Sequence, residues 1–175
     1  PIVSGVSTAV DTFRERAPGV RWIPTPNLHV TVEFLGPTGD DQIDVLKHQL
    51  ENLAIAPFAF NFRGLAALPN ERRARVIALT LDVPSSFESL SRTVRSCANV
   101  AGLSLKTARL SPHLTLARLR HPDSHWLADF LERYRPRALE LPVLPVTQVN
   151  IYESVLSRSG AEYTVLSTVP LRSNQ

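Results

Sequence analysis

Two segments of this chain repeat one four-residue pattern: His29-Val30-Thr31-Val32 and His113-Leu114-Thr115-Leu116. Each is a histidine, an apolar residue, a threonine and a second apolar residue. In an extended strand successive side chains leave opposite faces, so His29 and Thr31 point one way and Val30 and Val32 the other. His113 and Thr115 are set against Leu114 and Leu116 in the same manner. Each segment can therefore rest on a hydrophobic core while offering an imidazole and a hydroxyl to a cleft. Two such strands facing each other bring two histidines and two threonines to one small polar volume. An unperturbed imidazole has a pKa of about 6.5, so at neutral pH one ring can accept a proton and another donate one. Threonine hydroxyls two residues away can hydrogen-bond phosphate oxygens and fix them between the rings. The pattern is the equipment needed to hold a phosphate between an acid and a base.

The remaining sequence supplies the elements around these strands. Ser4–Arg16 predicts an amphipathic helix with Val6, Val10 and Phe13 at helical spacing, ended by Pro18-Gly19. Pro24 and Pro26 keep the next stretch extended, leading into a strand from Leu28 to Leu35 that Gly36-Pro37 closes. Asp40-Asp41 cap a helix running to about Ala54, with Ile43, Leu46, Leu50 and Leu53 on its buried side. Phe58 to Leu65 and Ala74 to Val83 read as strands joined by the polar turn Pro69 to Arg73. Ser85 or Ser86 caps a helix carrying Phe87, Leu90, Val94 and Cys97, which ends near Gly102.

Pro112 to Leu119 is the second His-x-Thr strand, followed by a helix from about Trp126 to Tyr134. Two strands close the chain, Leu144 to Leu156 and Glu162 to Val169, with Ser157-Arg158-Ser159-Gly160 as the hairpin turn. One His-x-Thr strand falls in each half, a weak internal duplication. The expected fold class is α+β, two packed lobes with antiparallel sheets facing a central cleft and helices outside, and residues 1–175 are expected to form that single bilobal domain.

Composition narrows the chemistry. With 175 residues, 43% of them hydrophobic, the chain can bury a sizeable core. No apolar run approaches the roughly 20 residues of a membrane-spanning helix, and no signal-peptide pattern is present. The single cysteine, Cys97, cannot form an internal disulfide, which suits a reducing cytoplasm, and it reads as a core residue. A net charge of +3 suits an anionic ligand such as a nucleotide without the dense basic stripe of a general nucleic-acid binder.

Other phosphate or metal chemistries lack their signatures. Two histidines could bind zinc, but a third protein ligand is needed, and only Glu33, on the face of His29, offers itself. There is no Gly-x-Ser-x-Gly elbow and no glycine-rich phosphate loop. His48, in a helix beside charged residues, and His121 and His125, flanking a loop, read as surface residues.

Arg21-Trp22-Ile23-Pro24 through Asn27-Leu28-His29-Val30-Thr31-Val32 and on to Phe34-Leu35-Gly36 resembles the first signature of the RNA 2′,3′-cyclic phosphodiesterases. These are also known as 2′-5′ RNA ligases and belong to the two-histidine phosphoesterase superfamily. Ser111-Pro112-His113-Leu114-Thr115-Leu116-Ala117-Arg118 resembles the second signature, and Glu153 to Leu166 the closing hairpin. The resemblance implies a bilobal α+β fold and hydrolysis of an RNA-terminal or nucleoside 2′,3′-cyclic phosphate to the 2′-phosphate, with no metal or other cofactor. It implies His29 as proton donor to the departing 3′ oxygen and His113 as the base that activates water. Thr31 and Thr115 would hold the non-bridging oxygens. The residues alone do not divide the two histidines into acid and base.

The resemblance also carries phosphate neutralisation to Arg118 and base stacking to Phe34, which a core role would equally suit. Strict alternation puts both on the face opposite the histidines, so a bulge or strand end must re-aim them. Family members open with an apolar strand ahead of a proline-containing turn, and this sequence starts at that turn, which predicts an unpaired sheet edge. The expected partners are RNA ends or nucleotides bearing a 2′,3′-cyclic phosphate, with no membrane association, for a cytoplasmic monomer. A two-histidine enzyme acting on another cyclic phosphate or on 2′-5′ linkages is the neighbouring reading. A non-catalytic RNA-end binding module is a further one, against which the intact histidines argue.

Overall fold

A computed structural model of the chain describes residues 4–17, 20–51, 53–105, 111–120, 124–138, 140–157 and 160–173. Among these residues four α-helices, α1 (Ser4–Arg16), α2 (Asp40–Glu51), α3 (Ser85–Val100) and α4 (Ser124–Ala138), are interspersed with eight strands. The strands are β1 (Arg21–Trp22), β2 (Phe58–Phe60), β3 (Phe62–Leu68), β4 (Val76–Leu81), β5 (His113–Arg118), β6 (Leu144–Val146), β7 (Gln148–Ser157) and β8 (Gly160–Pro170). The pairings β1–β5, β3–β4, β4–β5 and β7–β8 are antiparallel, as the α+β reading expects. Among the described residues no helix is long and apolar enough to cross a membrane. The chain divides into two compact units, each made of three separate stretches.

The first unit holds residues 1–31, 59–83 and 111–144. Its sheet has the order β1-β5-β4-β3. Val6, Val10 and Phe13 of α1 are fully buried, as their helical spacing predicts, together with Leu127 and Leu131 of α4 and Leu65, Ile77, Leu79, Leu114 and Leu116 of the sheet. Each large aliphatic side chain so buried contributes roughly 1.5–3 kcal/mol. Phe13, Phe130 and Tyr134 meet edge-on or tilted, with Phe130 and Tyr134 ring centres 4.9 Å apart. Helix α4 extends beyond the predicted Tyr134 because Arg135 anchors its last turn, donating to the Leu65 carbonyl at 3.3 Å and pairing with Glu71 at 3.1 Å.

The second unit holds residues 32–58, 84–110 and 145–175. Leu46, Leu50 and Leu53 pack with Leu90, Val94, Cys97 and Ala98 of α3 and with Ile151 and Val169 of the β7–β8 hairpin. Helix α3 ends in a left-handed Gly102 with φ of 74°. There the Leu103 amide bonds back to the Ala98 carbonyl and the Gly102 amide to that of Asn99, a pattern that only a residue at ease with positive φ can close.

Several boundaries differ from expectation. Neither Ser85 nor Ser86 caps α3: Pro84 occupies that position, with no side-chain cap, and its carbonyl accepts from the Phe87 and Glu88 amides. The predicted strand from Phe58 to Leu65 is two strands interrupted at Asn61, whose carbonyl instead accepts the Asp82 amide. Among the described residues the predicted strand from Leu28 to Leu35 pairs at a single bridge, Val30 with Leu114. Pro24 and Pro26, which lack amide donors, fold the preceding residues into a 3₁₀ turn, Thr25–Asn27, and the ladder along β5 is broken there. The predicted stops at Pro18-Gly19 and Arg158-Ser159 lie outside the described residues.

Candidate active site

Strand β5 is paired on both sides. Toward β4, His113 stands opposite Thr80, Leu114 opposite Leu79 and Thr115 opposite Ala78. Thr80, opposite His113, donates its hydroxyl to the Gly64 carbonyl at 3.2 Å. On the other side the chain runs antiparallel as β1, breaks at the 3₁₀ turn, and returns to bridge Leu114 through Val30. The two His-x-Thr segments thus do not face each other from opposing strands. They lie side by side, with the apolar centre of one bridged to the apolar centre of the other, and both histidines and both threonines belong to the first unit.

That bridge sets the arrangement of the polar groups. Around an antiparallel bridge the flanking residues are matched crosswise, so His29 stands by Thr115 and Thr31 by His113, all on the face opposite Val30 and Leu114. The two histidines are diagonal neighbours, a relation that spans about 7–8 Å with the β-carbons somewhat closer. All four side chains are half-buried, while Leu114 and Leu116 behind them are fully buried.

The rings are held alike. His29 Nδ1 lies 2.8 Å from the carbonyl oxygen of Asn27, and His113 Nδ1 lies 2.7 Å from that of Ser111. A ring nitrogen facing a carbonyl must carry the hydrogen, so both Nδ1 atoms donate and the proton chemistry of each ring runs through Nε2. The sequence carries no signal for this, because the acceptors are main-chain carbonyls that any residue at positions 27 and 111 would supply. The turn that leads to Asn27 is braced by Arg14 of α1. Its guanidinium donates to the Ile23 carbonyl and to Thr25 Oγ1 at 3.2 Å, spanning the start of the 3₁₀ turn, and pairs with Asp11 at 2.7 Å.

Arg118 reaches the histidine face through a bulge. Ile77 pairs with Ala117 but Ala78 with Thr115, so Leu116 is an extra residue on β5. Leu116 and Ala117 both enter the core, fully buried, and Arg118 emerges opposite Val76. Val76, Ala78 and Thr80 share one face of β4, so Arg118 shares a face with Thr115 and His113. Phe34 belongs to the second unit and is 68% exposed, which excludes the core role.

Glu33, the one candidate for a third metal ligand, is committed elsewhere: its side chain is 5% exposed and Oε2 lies 2.6 Å from Arg95 Nε on α3. Among the described residues no group of three His, Cys, Asp or Glu side chains is placed to hold a metal. His48 is exposed, 3.5 Å from Glu51, and His125 is exposed on α4; His121 lies outside the described residues. An open concavity of about 560 Å³ lined by Arg16, Trp126, Phe130 and Tyr134 belongs to the α1–α4 side of the sheet, where Trp22 meets Phe130. It is not where the histidines converge.

The arrangement sets two imidazoles, two hydroxyls and a guanidinium on one face of the sheet, on a fold shared with known phosphoesterases. The structure of E. coli LigT complexed with 3′-AMP superposes with a TM-score of 0.73 at 20% identity, covering 98% of this chain and 94% of that one. The protein TT0787 of Thermus thermophilus superposes with a TM-score of 0.70 at 24% identity over 97% of this chain and 92% of that one. Among curated proteins, the RNA 2′,3′-cyclic phosphodiesterase of Methanothermobacter thermautotrophicus is 26% identical over 91% of this chain and 86% of its own length. That of Aquifex aeolicus is 27% identical over 83% and 79%. The model of the 2′-5′ RNA ligase superfamily matches residues 3–156, and the chain belongs to that superfamily.

Proposed function

We propose that this chain is a metal-independent RNA 2′,3′-cyclic phosphodiesterase that leaves the phosphate on the 2′ oxygen. The observation that carries this reading is the identical tie of the two imidazoles, each donating from Nδ1 to the carbonyl two residues back. Two rings that both work through Nε2, on one face and flanked by threonines, suit a reaction needing a base on one side of phosphorus and an acid on the other.

In the proposed step His113 Nε2 takes a proton from water as the water oxygen bonds to phosphorus. The bond from phosphorus to the 3′ oxygen breaks in line, and His29, entering as the imidazolium, gives its Nε2 proton to that oxygen. Thr31 and Thr115 donate to the non-bridging oxygens, and Arg118 offsets the charge that grows there. The division of acid and base between the histidines follows the family resemblance. The superfamily's description favours one related reaction, in which the 5′-hydroxyl of a second strand replaces water and a 2′-5′ linkage forms.

The test is turnover of an oligoribonucleotide ending in a 2′,3′-cyclic phosphate, in EDTA, followed by phosphorus NMR. The expected product is the 2′-phosphate, with His29→Ala and His113→Ala each losing about 10²–10⁴-fold in rate. Full activity of either variant would overturn the paired-histidine mechanism, and a 3′-phosphate product the regiochemistry. Binding without turnover by the wild type would favour an RNA-end binding module.

A further inference from the structure

Arg118 has an in-register neighbour on each side, Val76 on β4 and Arg21 on β1. The two arginines stand directly opposite each other on β1 and β5, so their side chains leave the same face of the sheet, the one that carries His113 and Thr115. The next position confirms the phase: Trp22 stands opposite the buried Ala117 and turns the other way, donating from Nε1 to the Ala17 carbonyl and meeting Phe130 of α4. Both arginines are exposed, and among the described residues no carboxylate pairs with either.

Like charges directly opposite across a ladder cost stability, and a sheet edge could avoid that cost with almost any other residue. The cost is offset when a polyanion lies across both. From Thr115 the Arg21 position lies two ladder positions along and one strand across, roughly 8 Å in all, the scale of one nucleotide step along an extended strand. Arg21 lies one strand farther out, at the sheet's edge.

We infer that Arg21 holds the phosphodiester of the nucleotide preceding the cyclic phosphate, so that the preferred substrate is a single-stranded RNA end rather than a lone nucleotide. This rests on the phosphodiesterase reading and adds to it a second phosphate subsite. Arg118 serves the reacting phosphate and Arg21 the next one.

The experiment compares a nucleoside 2′,3′-cyclic phosphate with a short oligoribonucleotide ending in the same group, for the wild type and Arg21→Gln, at several salt concentrations. The substitution is expected to raise KM for the oligonucleotide at least about fivefold more than for the mononucleotide, and to reduce the logarithmic salt slope of the oligonucleotide by about 0.7. Arg21→Lys, which keeps the charge, is expected to retain most of that slope. Equal effects on both substrates, or no effect on either, would overturn the inference. Thermal melting checks the fold, and removal of the opposed charge is expected to leave Tm unchanged or raise it.

Should the wild type turn over neither substrate, the phosphodiesterase reading fails alone. Anisotropy of a fluorescein-labelled oligoribonucleotide ending in a 2′-phosphate then still reads the Arg21 subsite. A salt slope equal in wild type and Arg21→Gln would reject it there as well.

Discussion

Val30 and Leu114 form an antiparallel bridge, and each is the residue between a histidine and a threonine. This one contact converts a pattern repeated far apart in sequence into a crosswise square of two imidazoles and two hydroxyls. Each histidine is matched with the other segment's threonine. Neither motif is complete alone, because the hydroxyl beside His29 comes from Thr115 and the one beside His113 from Thr31. Val30 and Leu114 touch nothing that reacts, yet they set the register. A shift of one residue would turn every polar group of one segment into the core.

In the proposed step the two rings act on opposite sides of phosphorus within one displacement, so neither serves fully without the other. The double variant His29→Ala with His113→Ala is therefore expected to lose no more than about tenfold beyond either single variant, whereas independent roles would multiply the two losses. Initial rates of the four proteins check it, and a double loss equal to the product of the single losses would contradict joint action.

Arg14 acts on His29 through the backbone. It ties Ile23 and Thr25, their turn presents the Asn27 carbonyl, and that carbonyl fixes the ring. Arg14→Met keeps the apolar stem and removes the donors. The expected result is a kcat about 10- to 100-fold lower with little change in KM, since a ring displaced by a fraction of an ångström still admits substrate but meets the leaving oxygen badly. Nitrogen-15 spectra of the His29 ring are expected to show loss of the single Nδ1–H tautomer, which a merely structural role would leave in place.

Much of this was legible in sequence, and the failures share a cause. Helix α1 was readable to the residue because Val6, Val10 and Phe13 repeat at a local period that the core then uses. The His-x-Thr alternation gave each segment its face. Alternation could not say that Leu116 is an extra residue, because a bulge is fixed by the partner strand: Ile77 and Ala78 are consecutive on β4 while their partners skip one on β5. Strict period-two counting therefore sends Arg118 to the wrong face. The strand expected over Leu28 to Leu35 differs for a related reason, since among the described residues its β-rich composition meets a partner at Val30 alone. Arg14, bound to Ile23 and Thr25 nine and eleven positions on, acts through tertiary contacts that no local pattern announces.

The Glu33–Arg95 pair of the second unit offers a test of stability apart from chemistry. Glu33 Oε1 accepts the Phe34 amide at 3.0 Å, while Oε2 faces Arg95 at 2.6 Å but receives no aligned hydrogen bond. Removing one partner strands a buried charge. Arg95→Met is expected to cost at the low end of roughly 3–5 kcal/mol, because the arginine is itself about one-third exposed. The double variant Glu33→Leu with Arg95→Met is expected to recover most of that loss. Urea unfolding of the four proteins measures the coupling, and additive losses would show the pair to be energetically inert.

Cys97 gives a pH dependence with a definite sign. Its side chain is packed among α2, α3 and the hairpin, and desolvation by that burial pushes the thiol above its ordinary value of 9.0, against a smaller opposing effect of a backbone hydrogen bond. A group whose pKa is higher folded than unfolded holds its proton longer in the native state. Its contribution is complete below the unfolded value and is lost as pH rises toward the folded one, because the unfolded thiol ionises first. Stability measured by urea is therefore expected to decline above about pH 9 more steeply in the wild type than in Cys97→Ala, whose overall stability is lower from the lost packing. Labelling by a thiol reagent at pH 8 is expected to be slow until denaturant opens the second unit. Rapid labelling of the native protein would show that the thiol is not held in the core.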